Sequence, residues 1–150
     1  MNRILNYRSL FGITKDTDLA QLKISYRNLM KEWHPDKFQE GDERRAEAEI
    51  KSKRIIEAYH FLVSISPETH ALDQEEYTDT MTNSPIDDFQ YKGQNLKITF
   101  QNGSIYEYFG VPKGVYVKMV NSPTLSRFVR RHILGFYTYR KVGKQNVSNG

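Results

Sequence analysis

Two residues stand out as able to do chemistry. His34 and Asp36 flank a proline in Trp33-His34-Pro35-Asp36-Lys37. An imidazole beside a carboxylate could serve as a general base, but a base needs a nucleophile or substrate proton within reach and shelter from water. A loop residue on a helix tip has neither. Glu57-x-x-His60 has the spacing of a di-metal helix, yet such sites need the motif twice plus further carboxylates, and here it occurs once. The chain has no cysteine, which removes disulfides, zinc ribbons and thiol catalysis together. No glycine-rich phosphate loop is present. This inventory predicts no catalytic residue, no metal and no cofactor, and leaves binding as the role of His34 and Asp36. The bland alternative is that Pro35 merely stops a helix and Asp36 folds into a local Asx turn.

The elements around the tripeptide decide between these readings. Leu19, Leu22, Tyr26, Leu29, Met30 and Trp33 recur at the spacing of one helical face. Lys23, Arg27 and Lys31, each four residues from the next, form a basic stripe on another face. Pro35 ends this helix, because the residue before a proline is pushed out of the α region. Ile4, Tyr7, Leu10 and Phe11 predict a short helix before it that stops at Gly12, and Asp18-x-x-Gln21 offers a capping box. After Gly41-Asp42 a long helix carries Ala48, Ser52, Ile55, Tyr59 and Leu62 on its apolar face. It ends at Ser66-Pro67.

Tyr7-x-x-Leu10-Phe11-Gly12-Ile13, Tyr26-Arg27-x-Leu29, His34-Pro35-Asp36 and Ile55-x-Glu57-Ala58-Tyr59-x-x-Leu62 occur in that order over about residues 5 to 66. This combination resembles the J domain of DnaJ-type co-chaperones. Ser52 departs from it, standing where many J domains carry a core phenylalanine. The resemblance implies an antiparallel helical hairpin with the first helix packed across it. It also implies a binding site for a DnaK-type heat-shock chaperone made of His34, Pro35 and Asp36 with Lys23, Arg27 and Lys31. The fourth short helix of many J domains has no evident counterpart in the sequence.

Charge divides the chain in three. Residues 1–66 carry a net +2, residues 67–85 five acids and no Lys or Arg, and residues 86–150 a net +7. The middle stretch lacks sustained periodicity, so it reads as an acidic linker with at most a helical turn near residues 71–77. No run of about 18 apolar residues occurs, and the chain opens straight into a helical pattern instead of a signal peptide. These features predict a cytoplasmic protein with no membrane partner.

From Ile86 the period changes to two. Phe89 and Tyr91 mark one strand, Leu96, Ile98 and Phe100 a second, and Asn102-Gly103 signals a hairpin. A two-residue loop would put Glu107 on the face of Ile98. A three-residue loop with Gly103 left-handed pairs Leu96 with Tyr108 and Ile98 with Tyr106, and sets Lys97 opposite Glu107. The second register keeps a charge out of the core and is the one expected. A short helix follows Val111-Pro112 with Val115, Tyr116, Met119 and Val120 inward. A further helix holds Leu125, Phe128, Val129, His132 and Ile133, with His132 packed, and Gly135 precedes a last strand over residues 136–142. Residues 144–150 are expected to fray.

The pattern Phe100-x-Asn102-Gly103-x-x-Tyr106-x-Tyr108-x-x-Val111-Pro112-x-x-Val115-Tyr116, with Ile133 and Tyr137-x-Tyr139, is similar to the KTSC domain. That module is named for the C-terminus of some lysyl-tRNA synthetases. Thr124, Ser126 and Arg130 stand where the family usually has Ser, Gly and Asn. The resemblance implies a nucleic-acid role, with RNA binding as the expectation. Arg127, Arg130 and Arg131, with Lys113, Lys118, Arg140 and Lys141, could form a phosphate-binding patch, and the tyrosines could stack bases. An ordinary solvated face and an aromatic core are the competing readings.

The expected architecture is therefore two small domains. An all-α helical hairpin spans residues 1–66 and an α+β domain spans residues 86–143, with an antiparallel sheet and two short helices. The expected function is a co-chaperone that stimulates ATP hydrolysis by a DnaK-type partner while the C-terminal module recruits a client or RNA. The rival is an RNA-binding adaptor whose J fold is a non-stimulating scaffold.

Overall fold

The computed structural model describes residues 2–144. The chain divides into two compact units between Thr69 and His70.

The N-terminal unit is helical. Helix α1 (Arg3–Phe11) is opened by the Asn2 side chain, which accepts from the Ile4 and Leu5 amides at 2.9 and 3.2 Å. It closes at Gly12, whose φ of 65° lets the Gly12 and Ile13 amides return to the carbonyls of Ser9 and Arg8. Helix α2 (Leu19–Trp33) starts from Asp18, whose carboxylate accepts from the Gln21 amide at 2.8 Å. Helix α3 (Glu43–Ser64) starts from Asp42. Arg44 donates to the Asp42 carboxylate from both backbone and guanidinium, and this side-chain hydrogen bond holds the carboxyl below its ordinary value.

Helices α2 and α3 form the expected hairpin, and α1 packs on both. Ala48, Ser52, Ile55 and Leu62 are buried along α3, and Ala58 and Phe61 extend that face. Tyr26 stacks on Tyr59 with ring centroids 4.1 Å apart, a contact worth about 0.5–1.5 kcal/mol beyond its burial. Tyr7 meets Phe61 edge-on at 5.3 Å. Ser52 is 5% exposed and its hydroxyl donates to the Glu49 carbonyl, so the hydroxyl is satisfied within its own helix.

The stretch expected to be a linker is mostly helical. Helix α4 (Pro67–Leu72) begins with proline at its first position, where the missing N–H costs nothing. Glu68 accepts from the Leu19 amide at 3.0 Å, placing a carboxylate at the N-terminus of α2. A short helix thus does follow α3, contrary to the sequence expectation. Helix α5 (Gln74–Asn83) follows directly. Its Tyr77, Thr80 and Met81 lie at i, i+3 and i+4, and Thr80 is 1% exposed. Burial of that stripe in the C-terminal unit explains why so polar a sequence is helical.

The C-terminal unit is a four-stranded antiparallel sheet in the order β1 (Ile86–Lys92), β2 (Asn95–Phe100), β3 (Ser104–Phe109), β4 (Thr138–Lys144). Helices α6 (Lys113–Val120) and α7 (Leu125–His132) lie between β3 and β4 in sequence. The β2–β3 register pairs Leu96 with Tyr108, Lys97 with Glu107 and Ile98 with Tyr106, as the charge argument requires. Gln101, Asn102 and Gly103 form the three-residue loop, with Gly103 at φ 90°. β1 and β2 are joined by Gly93 and Gln94, both at positive φ, which suits a two-residue hairpin.

One face of the sheet holds the core. Leu96, Ile98, Phe100, Tyr106 and Tyr108 meet Val111, Met119, Val129 and Ile133, with Tyr77 and Met81 against them. The Tyr91 hydroxyl donates to the Val111 carbonyl at 2.6 Å, and the Val111 amide donates to Gln94 at 2.9 Å. Val120 is half-exposed instead of inward. β4 begins two residues later than the sequence suggests, because Phe136 still belongs to the turn made by Gly135 at φ 84°. Of the tail expected to fray, only the Lys144 backbone, the end of β4, lies within the described residues.

Candidate functional site

Everything at the His34 turn follows from how α2 stops. Pro35 sets His34 at φ −64°, ψ 131°, out of the helix, while the His34 amide still donates to Met30 at 2.8 Å. Residues Pro35–Lys37 form one 3-10 turn, closed by Lys37 and Phe38 amides donating to His34 and Pro35. The imidazole caps this turn: His34 Nδ1 accepts from the Asp36 amide at 3.1 Å. The Asx turn of the bland reading is therefore absent, since the histidine does the capping and Asp36 is left outward. The Asp36 side chain is 81% exposed, with His34 Nδ1 3.7 Å from its carboxylate.

The hairpin tip holds this turn in place. Arg45 donates from α3 to the Phe38 carbonyl at 3.2 Å, and Arg44 sits over the Phe38 ring. Lys51 lies 3.7 Å from the centroid of the Trp33 ring, clamping the last residue of α2. These three cations were not legible as part of the site, because their partners are a carbonyl and rings across the hairpin. Lys23, Arg27 and Lys31 are all exposed on α2. Among the described residues none of the three is in an ion pair. Exposed Ile24 lies beside the stripe. The result is a cationic face ending in an outward carboxylate and a fixed imidazole. Glu57 pairs with Arg3 at 3.7 Å and His60 packs edge-on against Tyr59. Among the described residues no group of three or more His, Asp or Glu is placed to hold a metal ion.

The C-terminal candidates come apart. Arg140 Nε is 2.9 Å from Glu107 Oε1, both side chains largely buried, and Lys141 pairs with Glu76. Two of the seven cations expected to form a phosphate patch are thus already held by carboxylates. Arg127, Arg130, Arg131 and Lys113 are exposed. Tyr106 and Tyr108 are buried and cannot stack a base. Tyr139 is sandwiched by His70 at 4.0 Å and Tyr77 at 4.5 Å. Burial pushes the Tyr77 phenol up to about 12 although its hydroxyl meets that of Tyr108 at 3.0 Å. His132 is exposed, its ring against Phe128 at 4.6 Å, and is not the packed residue expected.

Among the described residues no helix is long and apolar enough to cross a membrane. The DnaJ domain family model matches residues 6–69, and the KTSC domain model matches residues 82–139. A chaperone protein DnaJ of Thermotoga sp. (strain RQ2) is 31% identical over 99 residues, which are 61% of this chain and 26% of that protein. The DnaJ chaperones of Lachnospira eligens and Hydrogenobacter thermophilus are 46% and 42% identical over 57 and 59 residues. Those alignments cover 38% and 39% of this chain, and 14% and 15% of the relatives. The chain thus carries a DnaJ domain followed by a KTSC domain, and spans about a quarter of the length of the first of these relatives.

Proposed function

We propose that the DnaJ domain docks on a DnaK-type heat-shock chaperone and stimulates its ATP hydrolysis, making the chain a co-chaperone and not itself an enzyme. The observation that supports this most is the His34–Asp36 turn, open to solvent at the end of a cationic helix face. Lys23, Arg27 and Lys31 would meet an acidic surface on the partner, supplying steering and orientation more than raw affinity. His34, Pro35 and Asp36 would then touch the partner where docking is coupled to its nucleotide site. The partner supplies the nucleotide, the metal and the bond-breaking chemistry. The C-terminal unit would recruit what the partner is to act on.

Single-turnover ATP hydrolysis by a DnaK-type chaperone, with and without the full chain, tests this reading. Acceleration is expected, and reversing Lys23 and Arg27 to Glu should weaken it most at low salt, since exposed charges are screened beyond about 10 Å at 0.1 M ionic strength. No acceleration, combined with RNA retained by the full chain, would favour the adaptor reading instead. For that reading the exposed Arg127, Arg130, Arg131, Lys113 and Lys118 are the residues that remain.

A further inference from the structure

In the C-terminal unit a cavity of about 150 Å³ opens where α5 ends and β1 begins. Phe100 and Val129 are buried in its lining, Met81 and Ile86 are half-buried there, and Ser126 and Arg130 stand among its polar groups with residues 82–84. The local sequence explains the gap. α5 stops at Asn83, Pro85 turns the chain before Ile86, and α7 faces the opening with a residue as small as Ser126. Ser126, Val129 and Arg130 are at i, i+3 and i+4, so one face of α7 carries the small residue, the apolar wall and the cation.

Size and charge narrow what fits. Small-molecule sites usually enclose ~300–1,000 Å³, so this space suits one aliphatic side chain and not a nucleotide or cofactor. It also offers no exposed ring on which a base could stack, since Phe100 is 3% exposed. On α7 Arg130 lines the cavity while Arg127 and Arg131 do not; the helix carries no acid, and all three arginines are exposed and, among the described residues, in no ion pair. Asp79, Asp87 and Asp88, the acids nearest in sequence, do not line the cavity, and the Asp79 carboxylate is occupied by the Asn83 side chain, which donates to it at 2.7 Å.

We infer that this cavity is a docking pocket for an acidic protein segment, taking one aliphatic side chain between Phe100, Val129, Met81 and Ile86 while flanking carboxylates meet Arg130 and its neighbours. The inference names the partner chemistry of the recruiting unit in the proposed co-chaperone, and its test is read without ATP hydrolysis. The chosen probe is a fluorescent synthetic peptide with one leucine between two pairs of aspartates. Its controls are the same peptide with serine for leucine, and a ten-nucleotide uridine strand. The full chain should bind the leucine peptide and lose roughly tenfold in affinity for the serine peptide, a difference of about 1.4 kcal/mol. Ser126→Leu, which fills the cavity, should abolish the preference for leucine. Arg130→Glu changes an exposed residue and should weaken the peptide by a similar factor with an unchanged circular dichroism spectrum. If Ser126→Leu fails to fold, the Arg130→Glu and serine-peptide comparisons decide alone. Equal binding of the two peptides, no binding of either, or stronger binding of the uridine strand through Arg130 would overturn the inference. Because no chaperone is present, failure here would leave ATP stimulation unaffected, and failure of ATP stimulation would leave this pocket standing.

Discussion

The two ends of the chain treat their charged residues in opposite ways. At the His34 turn the polar groups sit on the surface: the Asp36 carboxylate is 81% exposed, and Lys23, Arg27 and Lys31 lie on an open helix face. In the C-terminal unit the charges on β4 are drawn into the structure, Arg140 against Glu107 and Lys141 against Glu76, and the tyrosines close the core. The difference is one of distance along the chain. The exposed residues of the His34 site come from one helix and its stop, so spacing reveals them, although α3 braces the turn. The β4 cations find carboxylates 33 and 65 residues away, and no local pattern reveals such pairs.

That contrast can be broken by substitution. Arg140→Ala should leave Glu107, only 8% exposed, without its ion-pair partner and cost about 2–3 kcal/mol. Faster amide exchange in β3 and β4 would be the readout, and an unchanged exchange rate would mean the pair is ornamental. Asp18→Ala removes the side-chain cap of α2 and should cost about 1 kcal/mol by urea unfolding. Smaller still is Arg127→Ala, an exposed position with no ion pair among the described residues, which should stay within about 0.5 kcal/mol.

The smallest effect concerns pH. Burial against the Tyr139 ring lowers the His70 pKa from its ordinary 6.5, opposed by a hydrogen bond to the Tyr139 backbone and by Asp73. Below that ordinary value the unfolded chain takes up a proton that the folded chain refuses. Stability from this group is therefore full above pH 6.5 and falls as the pH drops towards the folded value. His70→Phe keeps the stack and should remove this component of the slope. A variant with the same pH dependence as the parent chain would rule the histidine out.

Much of the fold was readable because pattern and packing agreed. The β2–β3 register followed from one requirement, keeping Glu107 off the face of Ile98. The stops at Gly12 and Pro35, and the starts at Asp18 and Asp42, followed from cap chemistry. Residues 67–85 were misread for a physical reason. Their inward stripe is Tyr77, Thr80 and Met81, and Thr80 reads as polar until its hydroxyl accepts from the Asn102 side chain at 3.0 Å. Ser84 similarly accepts from the Asn102 amide, tying the end of α5 to the hairpin loop. At the His34 site, the tripeptide and stripe were legible, while the bracing by Arg45 and Lys51 was not, since it depends on the hairpin closing.

In the proposed co-chaperone the open turn at the end of α2 would act on the partner's ATP cycle. His34→Gln tests it most directly, because the imidazole caps only one exposed 3-10 turn and the Gln side-chain oxygen remains an acceptor for the Asp36 amide. The single-turnover ATPase rate of a DnaK-type chaperone should fall to its unstimulated value with the variant, while the variant's melting curve overlays that of the parent chain. Full stimulation by a folded His34→Gln chain would contradict the account.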